Sequence, residues 1–123
     1  MITKPEIKKM ISEFFNEHGE YPVVFAGAAL VMYGLRSLTT DIDCFVSSNL
    51  FEELKKTWPT NEKGYVQYKD VFEVSTWNHE GNVFIIDTVV CLSLDEIVKQ
   101  KKEWDREKDL RDLELIELSR LNS

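Results

Sequence analysis

The segment DIDCFV, residues 41–46, constrains this chain more than any other. It sets two carboxylates one residue apart at the mouth of an apolar strand. Side chains alternate between the two faces of a strand, so Asp41 and Asp43 share one face while Ile42 and Cys44 take the other. Two carboxylates held side by side repel. Converging on a pair of metal ions ~3.5–4 Å apart relieves that repulsion, and hard oxygen donors favour magnesium or manganese over zinc. Taken without its surroundings, the same pair is a turn residue followed by a solvated edge carboxylate.

The flanking segments place this strand in a mixed domain. Thr3 and Glu6 form a capping box with Pro5 in the first turn. Ile7, Met10, Ile11, Phe14 and Phe15 then make one apolar stripe, and Gly19 ends the helix. YPVVFAG reads as a short buried strand over 23–26 that runs into Gly27. AALVMYGL is a short helix closed by Gly34. SNLFEELKKTWP predicts a helix capped by Ser48 or Asn49, with Pro59 beyond its end. Antiparallel strands are expected over 65–68, 71–77 and 83–91, with the turn NHEGN between the last two. Ser93 and Glu96 form a second capping box, and Leu94, Ile97 and Val98 of that helix point inward. A further helical piece from about Lys108 is expected to bury Leu110, Leu113 and Ile116. This order, α-β-α-β-α-β-β-β-α, belongs to an α+β (mixed α/β) domain, a small mixed sheet flanked by helices. The length of 123 residues suits a single domain, 1–123, and a hydrophobic content of 43% is enough for a core.

Composition narrows the partners. A formal charge of −7 weakens steering toward nucleic acid unless the charge is segregated. Cys44 and Cys91 lie in apolar runs and read as buried free thiols. The opening MITKPEIKKM is charged throughout, which predicts no signal peptide. No apolar run approaches the ~20 residues of a membrane span. A cytoplasmic protein that does not enter the membrane is the expectation. His18 reads as a helix-end residue and His79 as a turn residue, too far apart for a zinc site. Trp58, Trp77 and Trp104 read as packing residues, with base stacking as the alternative for Trp104.

Three features surround the acidic pair. Gly27 lies between a buried strand and a helix, where a missing side chain lets a ligand approach and the following N–H groups favour an anion; a plain strand–helix turn is the ordinary reading. Arg36 and Thr39 precede the pair and are candidates for holding phosphate, Arg36 alternatively a surface residue. Lys101 falls at helical spacing with Leu94, Ile97 and Val98, so it faces the core or a cleft. It needs a counterion there, either the acidic centre or a triphosphate. Lys99 and Lys102 are expected in solvent.

The stretch VVFAGAALVMYGLRSLTTDIDCFV resembles the signature of the nucleotidyltransferase fold, the polymerase β-like palm, shared by DNA polymerase β and the minimal nucleotidyltransferases. It is most similar to the AbiEii-like and MNT-like toxin–antitoxin nucleotidyltransferases. Their pattern is a strand, Gly-Gly or Gly-Ser, a helix, an Arg–Thr stretch, and Asp-x-Asp on the next strand. The tail LDEIVKQKKEWDREKDLRDLE resembles the family's closing motif through Lys101, Arg106, Lys108 and Asp109. Ala26 stands where the pattern has its first glycine; an alanine there either crowds the phosphate loop or demands different backbone torsions.

The resemblance implies an enzyme that moves an NMP from an NTP to a hydroxyl of a protein, an RNA or a small molecule, in a toxin–antitoxin or phage-defence setting. It implies two Mg²⁺ (or Mn²⁺) held by Asp41, Asp43 and a third acid on a neighbouring strand. Asp87 is the first candidate for that acid, because a lone Asp within VFIIDTVV is costly without a partner. Glu73 and Asp70 follow, and Asp87 paired with Lys101 is the metal-free alternative. The implied nucleotide-binding residues are Gly27, Ala28, Arg36, Thr39, Arg106 and Lys108, with Lys101 catalytic. Implied partners are an HEPN-type toxin or a tRNA acceptor, and a homodimer. The rival is a weak or inactive module of the same fold that binds a nucleotide or a protein.

Overall fold

The computed structural model of the chain describes residues 1–76 and 81–121. It is a mixed α+β fold. Eleven elements follow in order: α1 (Lys4–His18), β1 (Val23–Phe25), α2 (Ala26–Met32), β2 (Ile42–Val46), α3 (Ser48–Lys55), β3 (Val66–Tyr68), β4 (Phe72–Thr76), β5 (Val83–Ile86), β6 (Val89–Leu92), α4 (Leu94–Trp104) and α5 (Glu107–Leu121). The strands form one six-stranded sheet in the order β3-β4-β2-β1-β6-β5. β1 runs antiparallel to β2 and parallel to β6, and β2 runs parallel to β4.

The caps behave largely as the residues dictate. Thr3 donates to Glu6 from both N–H (3.2 Å) and Oγ1 (2.9 Å). Gly19 leaves α1 at φ 70°, its N–H bonded to the Phe15 carbonyl. Ser93 accepts from Glu96 N–H at 3.2 Å. α3 differs by one residue: its cap is Ser47, whose Oγ accepts from Leu50 N–H, not Ser48 or Asn49. Trp77, His79 and most of the expected NHEGN turn lie outside the described residues.

The alternation along β2 sorts the two faces of the sheet. Ile42, Cys44 and Val46 are buried with Phe72 and Val74 of the neighbouring strand. On that face Phe14 of α1 packs against Phe72 and Tyr68, with ring centroids 5.4 and 5.7 Å apart. Each fully buried aliphatic or aromatic side chain here stabilises by roughly 1.5–3 kcal/mol. Both cysteines are buried free thiols, as expected. The opposite face carries Asp43, Glu73, and the stacked rings of Phe25 and Phe45.

Three further expectations fail. The strands over 71–77 and 83–91 are not an antiparallel pair, because β2, β1 and β6 lie between β4 and β5 in the sheet. The run over 83–91 is two strands, because Asp87 and Thr88 adopt φ 47° and 74° and reverse the chain between Ile86 and Val89. Two successive positive φ values are what a two-residue hairpin turn of type I′ requires. The Asp within the apolar run is thus a turn residue, so no burial cost arises. In α5, Leu110 is exposed, and the inward positions are Asp109, Asp112 and Ile116. A buried lysine on α4 makes the two acids tolerable there. Among the described residues, no helix is long and apolar enough to cross a membrane.

Candidate active site

The site forms where β1 ends and β2 and β4 begin. Asp43 is the register partner of Phe25 on β1 and of Glu73 on β4. Parallel pairing in register sends both carboxylates to the same face. One carboxylate oxygen from each of Asp41, Asp43 and Glu73 lies within 4.8 Å of the others. Burial, a shared hydrogen bond with Glu73 and the Asp41 charge push the Asp43 carboxyl up to about 8. Burial also raises Asp41, with Glu73 adding to it, while Lys108 and Arg36 oppose the shift. Protein cations reach this cluster without neutralising it. A set of hard oxygen donors short of positive charge fits Mg²⁺ or Mn²⁺.

The carboxylate that joins Asp41 and Asp43 in space is that of Glu73, the second candidate from the sequence, while the first, Asp87, lies elsewhere. Asp87 sits at the start of β6, which runs parallel to β1, and so lies at the other end of the sheet from the cluster. Its carboxylate is 3.1 Å from Lys4 Nζ and half exposed. That lysine holds it below the usual carboxylate range. Asp70, the third candidate, is an exposed residue of the β3–β4 turn at φ 61°.

The acidic face of the sheet is one wall of a cavity of about 720 Å³, and α4 and α5 supply much of the other. Six cationic side chains line it, namely Arg36, Lys63, Lys101, Arg106, Lys108 and Arg111, against the four carboxylates Asp41, Asp43, Glu73 and Asp112. In a chain of formal charge −7 the cleft thus carries more cationic than acidic side chains. Lys63, Tyr65, Arg111 and Asp112 were not singled out from the sequence. Only the sheet register and the α4–α5 packing bring them here. Trp104 lines the cavity with the Arg106 guanidinium 5.0 Å from its ring centroid.

Gly27 makes room chiefly for protein atoms. A Cβ there would lie 2.9 Å from Arg36 Nη1 and 3.0 Å from Thr39 Oγ1. Thr39 is buried and donates to the Asp41 carbonyl at 3.0 Å, which ties the loop to the acidic strand. Ala26 takes the second of the two options left open above: it adopts φ 55°, a left-handed torsion natural to glycine. Ala28 is wholly buried in the core and does not line the cavity, so its side chain is not a contact for a nucleotide.

Lys101 is 3% exposed and lines the cavity, but its counterions are neither Asp87 nor the acidic trio. Its Nζ meets Asp112 at 2.9 Å and Asp109 at 3.3 Å. Asp109 also accepts from Arg106 Nε at 2.6 Å, Nη2 at 3.2 Å and the backbone N–H at 3.2 Å. Burial alone would raise Asp109, but these bonds and the Lys101 charge hold it below the usual carboxylate range. His18 and Trp58 stand away from the cavity: His18 Nε2 is 2.9 Å from the Tyr68 hydroxyl, and Trp58 packs edge-on to the same ring. No family model, no curated protein and no solved structure matches the chain.

Proposed function

We propose that this chain is a minimal nucleotidyltransferase of the polymerase β-like fold, moving an NMP from an NTP to an acceptor hydroxyl. The observation that carries the reading is the facing of two unlike walls: Asp41, Asp43 and Glu73 on one, and Arg36, Arg106 and Lys108 with them in one cavity. The third acid lies on a strand beside the Asp-x-Asp strand, as the resemblance implies. Asp41, Asp43 and Glu73 would hold two Mg²⁺, which would supply Lewis acidity toward an acceptor hydroxyl and a leaving pyrophosphate.

The chain's own residues do the rest. Arg36, beside Gly27, and Arg106 bind and orient the triphosphate, and Lys108 adds charge near Asp41 and Asp43. Phosphoryl-type transfer depends mostly on such positioning and electrostatics. The acceptor is a protein such as an HEPN-type toxin, a tRNA end or a small molecule, presented by a partner or a second copy. The test is mass spectrometry of candidate acceptors, and of the chain itself, after incubation with each NTP and Mg²⁺. A gain of one NMP with release of pyrophosphate is expected. Its absence in every combination, with nucleotide bound, leaves the rival reading of a nucleotide-binding module, which Ala26 at the first glycine position favours.

A further inference from the structure

Resting on the nucleotide reading above, we infer that Asp109 and Asp112, joined through Lys101, are positioning residues that hold Arg106 and Arg36 as a preset clasp for a polyphosphate. Two buried carboxylates three residues apart on one helix repel and lose hydration, so each needs a cation. Lys101 Nζ bridges them, at 3.3 Å from Asp109 and 2.9 Å from Asp112. Each acid then takes one cavity arginine. Asp109 holds Arg106 through Nε and Nη2, and Asp112 Oδ2 stands 3.7 Å from Arg36 Nη1.

The arginines differ from the lysine in access. Lys101 is buried between two acids, whereas the side chains of Arg36 and Arg106 remain 31% and 38% exposed in the cavity. A guanidinium has five N–H donors in a rigid fork, so donors remain for an anion after one carboxylate is engaged. Side chains this long lose considerable rotamer freedom on binding, and anchoring them beforehand removes that cost from the binding step. The same Arg36 Nη1 lies 2.9 Å from where a Gly27 Cβ would be, so the missing side chain leaves the guanidinium its place. Lys101 therefore acts through the two acids and does not itself touch phosphate.

The experiment is titration calorimetry with sodium tripolyphosphate in metal-free buffer, on wild type, Asp112→Asn, Arg36→Gln and the double variant. Asp112→Asn is expected to weaken binding about tenfold, the scale of losing an outer-shell orienting partner. In the Arg36→Gln background the same change is expected to alter affinity by less than about twofold, because the residue it orients is gone. A role in folding alone would not produce that coupling. Unchanged affinity in Asp112→Asn, or an equal loss in both backgrounds, overturns the inference. If Asp112→Asn does not fold, Lys101→Met/Asp112→Asn removes one buried charge of each sign and is compared with and without Arg36→Gln in the same way. A wild type that binds no tripolyphosphate without metal overturns this inference, while the nucleotide reading, which includes Mg²⁺, is decided by the transfer experiment above. The coupling without any nucleotide transfer supports the clasp and sinks the transferase reading alone.

Discussion

Asp43 on β2 and Glu73 on β4 are register partners on parallel strands, and their carboxyl groups share a hydrogen bond. With Asp41 beside them, three carboxyl groups crowd one end of the sheet, and their mutual repulsion has a cost. Three consequences concern the acids and the loop, and a fourth the backbone.

Asp43→Asn replaces a carboxyl that repels its neighbours once ionised with a neutral amide of nearly the same shape. In EDTA at a pH above 8, where the wild-type carboxyl is ionised, we expect the variant to be more stable by at least about 1 kcal/mol, the scale of a like-charged cross-strand contact. The pH dependence has a definite sign. The folded Asp43 carboxyl titrates at about 8 against an ordinary value of 3.8, so the folded state keeps a proton that the unfolded chain has released. Metal-free stability contributed by this group is complete below pH 3.8 and is lost as pH rises toward 8. Urea melts of both proteins across that range check it; parallel curves would sink the idea. Added Mn²⁺ is expected to raise the melting temperature of wild type and not of Asp43→Asn.

Glu73→Gln and Asp87→Asn separate the two candidates for the third acid. Glu73→Gln is expected to weaken Mn²⁺ binding in the presence of a non-hydrolysable NTP by about tenfold or more. Asp87→Asn, which removes only a surface partner of Lys4, is expected to leave that affinity within about twofold. Calorimetric titration distinguishes them, and the reverse pattern would return the role to Asp87.

Gly27→Ala places a Cβ where Arg36 Nη1 and Thr39 Oγ1 now lie, at 2.9 and 3.0 Å. The far end of an arginine can move, so the fold should survive with a melting temperature within a few degrees of wild type. ATP affinity is expected to fall about tenfold, because Arg36 loses its place beside Asp112. A folded Gly27→Ala protein with undiminished ATP affinity would show that Arg36 is not set by this contact.

Ala26→Gly relieves a left-handed torsion at φ 55°. That torsion costs an L-residue roughly 1–2 kcal/mol, while glycine gives back ~0.4–1 kcal/mol through the freer unfolded chain. A net gain of about 0.5–1 kcal/mol is expected in urea melts, with ATP affinity retained or improved. A loss of stability would mean that the alanine methyl, which is buried, packs well enough to outweigh the strain.

What the residues determined by themselves was local. The capping box at Thr3, the N-cap at Ser93, the stops at Gly19 and Gly34, the shared face of Asp41 and Asp43, and the inward set of Lys101 all follow from short-range periodicity and capping chemistry, which act over a few residues of chain. What the tertiary structure decided was pairing. Nothing near Glu73 in the chain says that β4 will lie parallel to β2 in the register that sets Glu73 beside Asp43. Nothing in VFIIDTVV announces that Asp87 and Thr88 will take positive φ, since Thr is an unusual residue for that torsion. The counterions of Lys101 lie eight and eleven residues away on another helix, and the apolar pattern of α5 pointed to Leu110 in place of Asp109. Charge neutralisation in a buried site depends on which elements meet, and that is settled only when α4, α5 and the sheet close on one another.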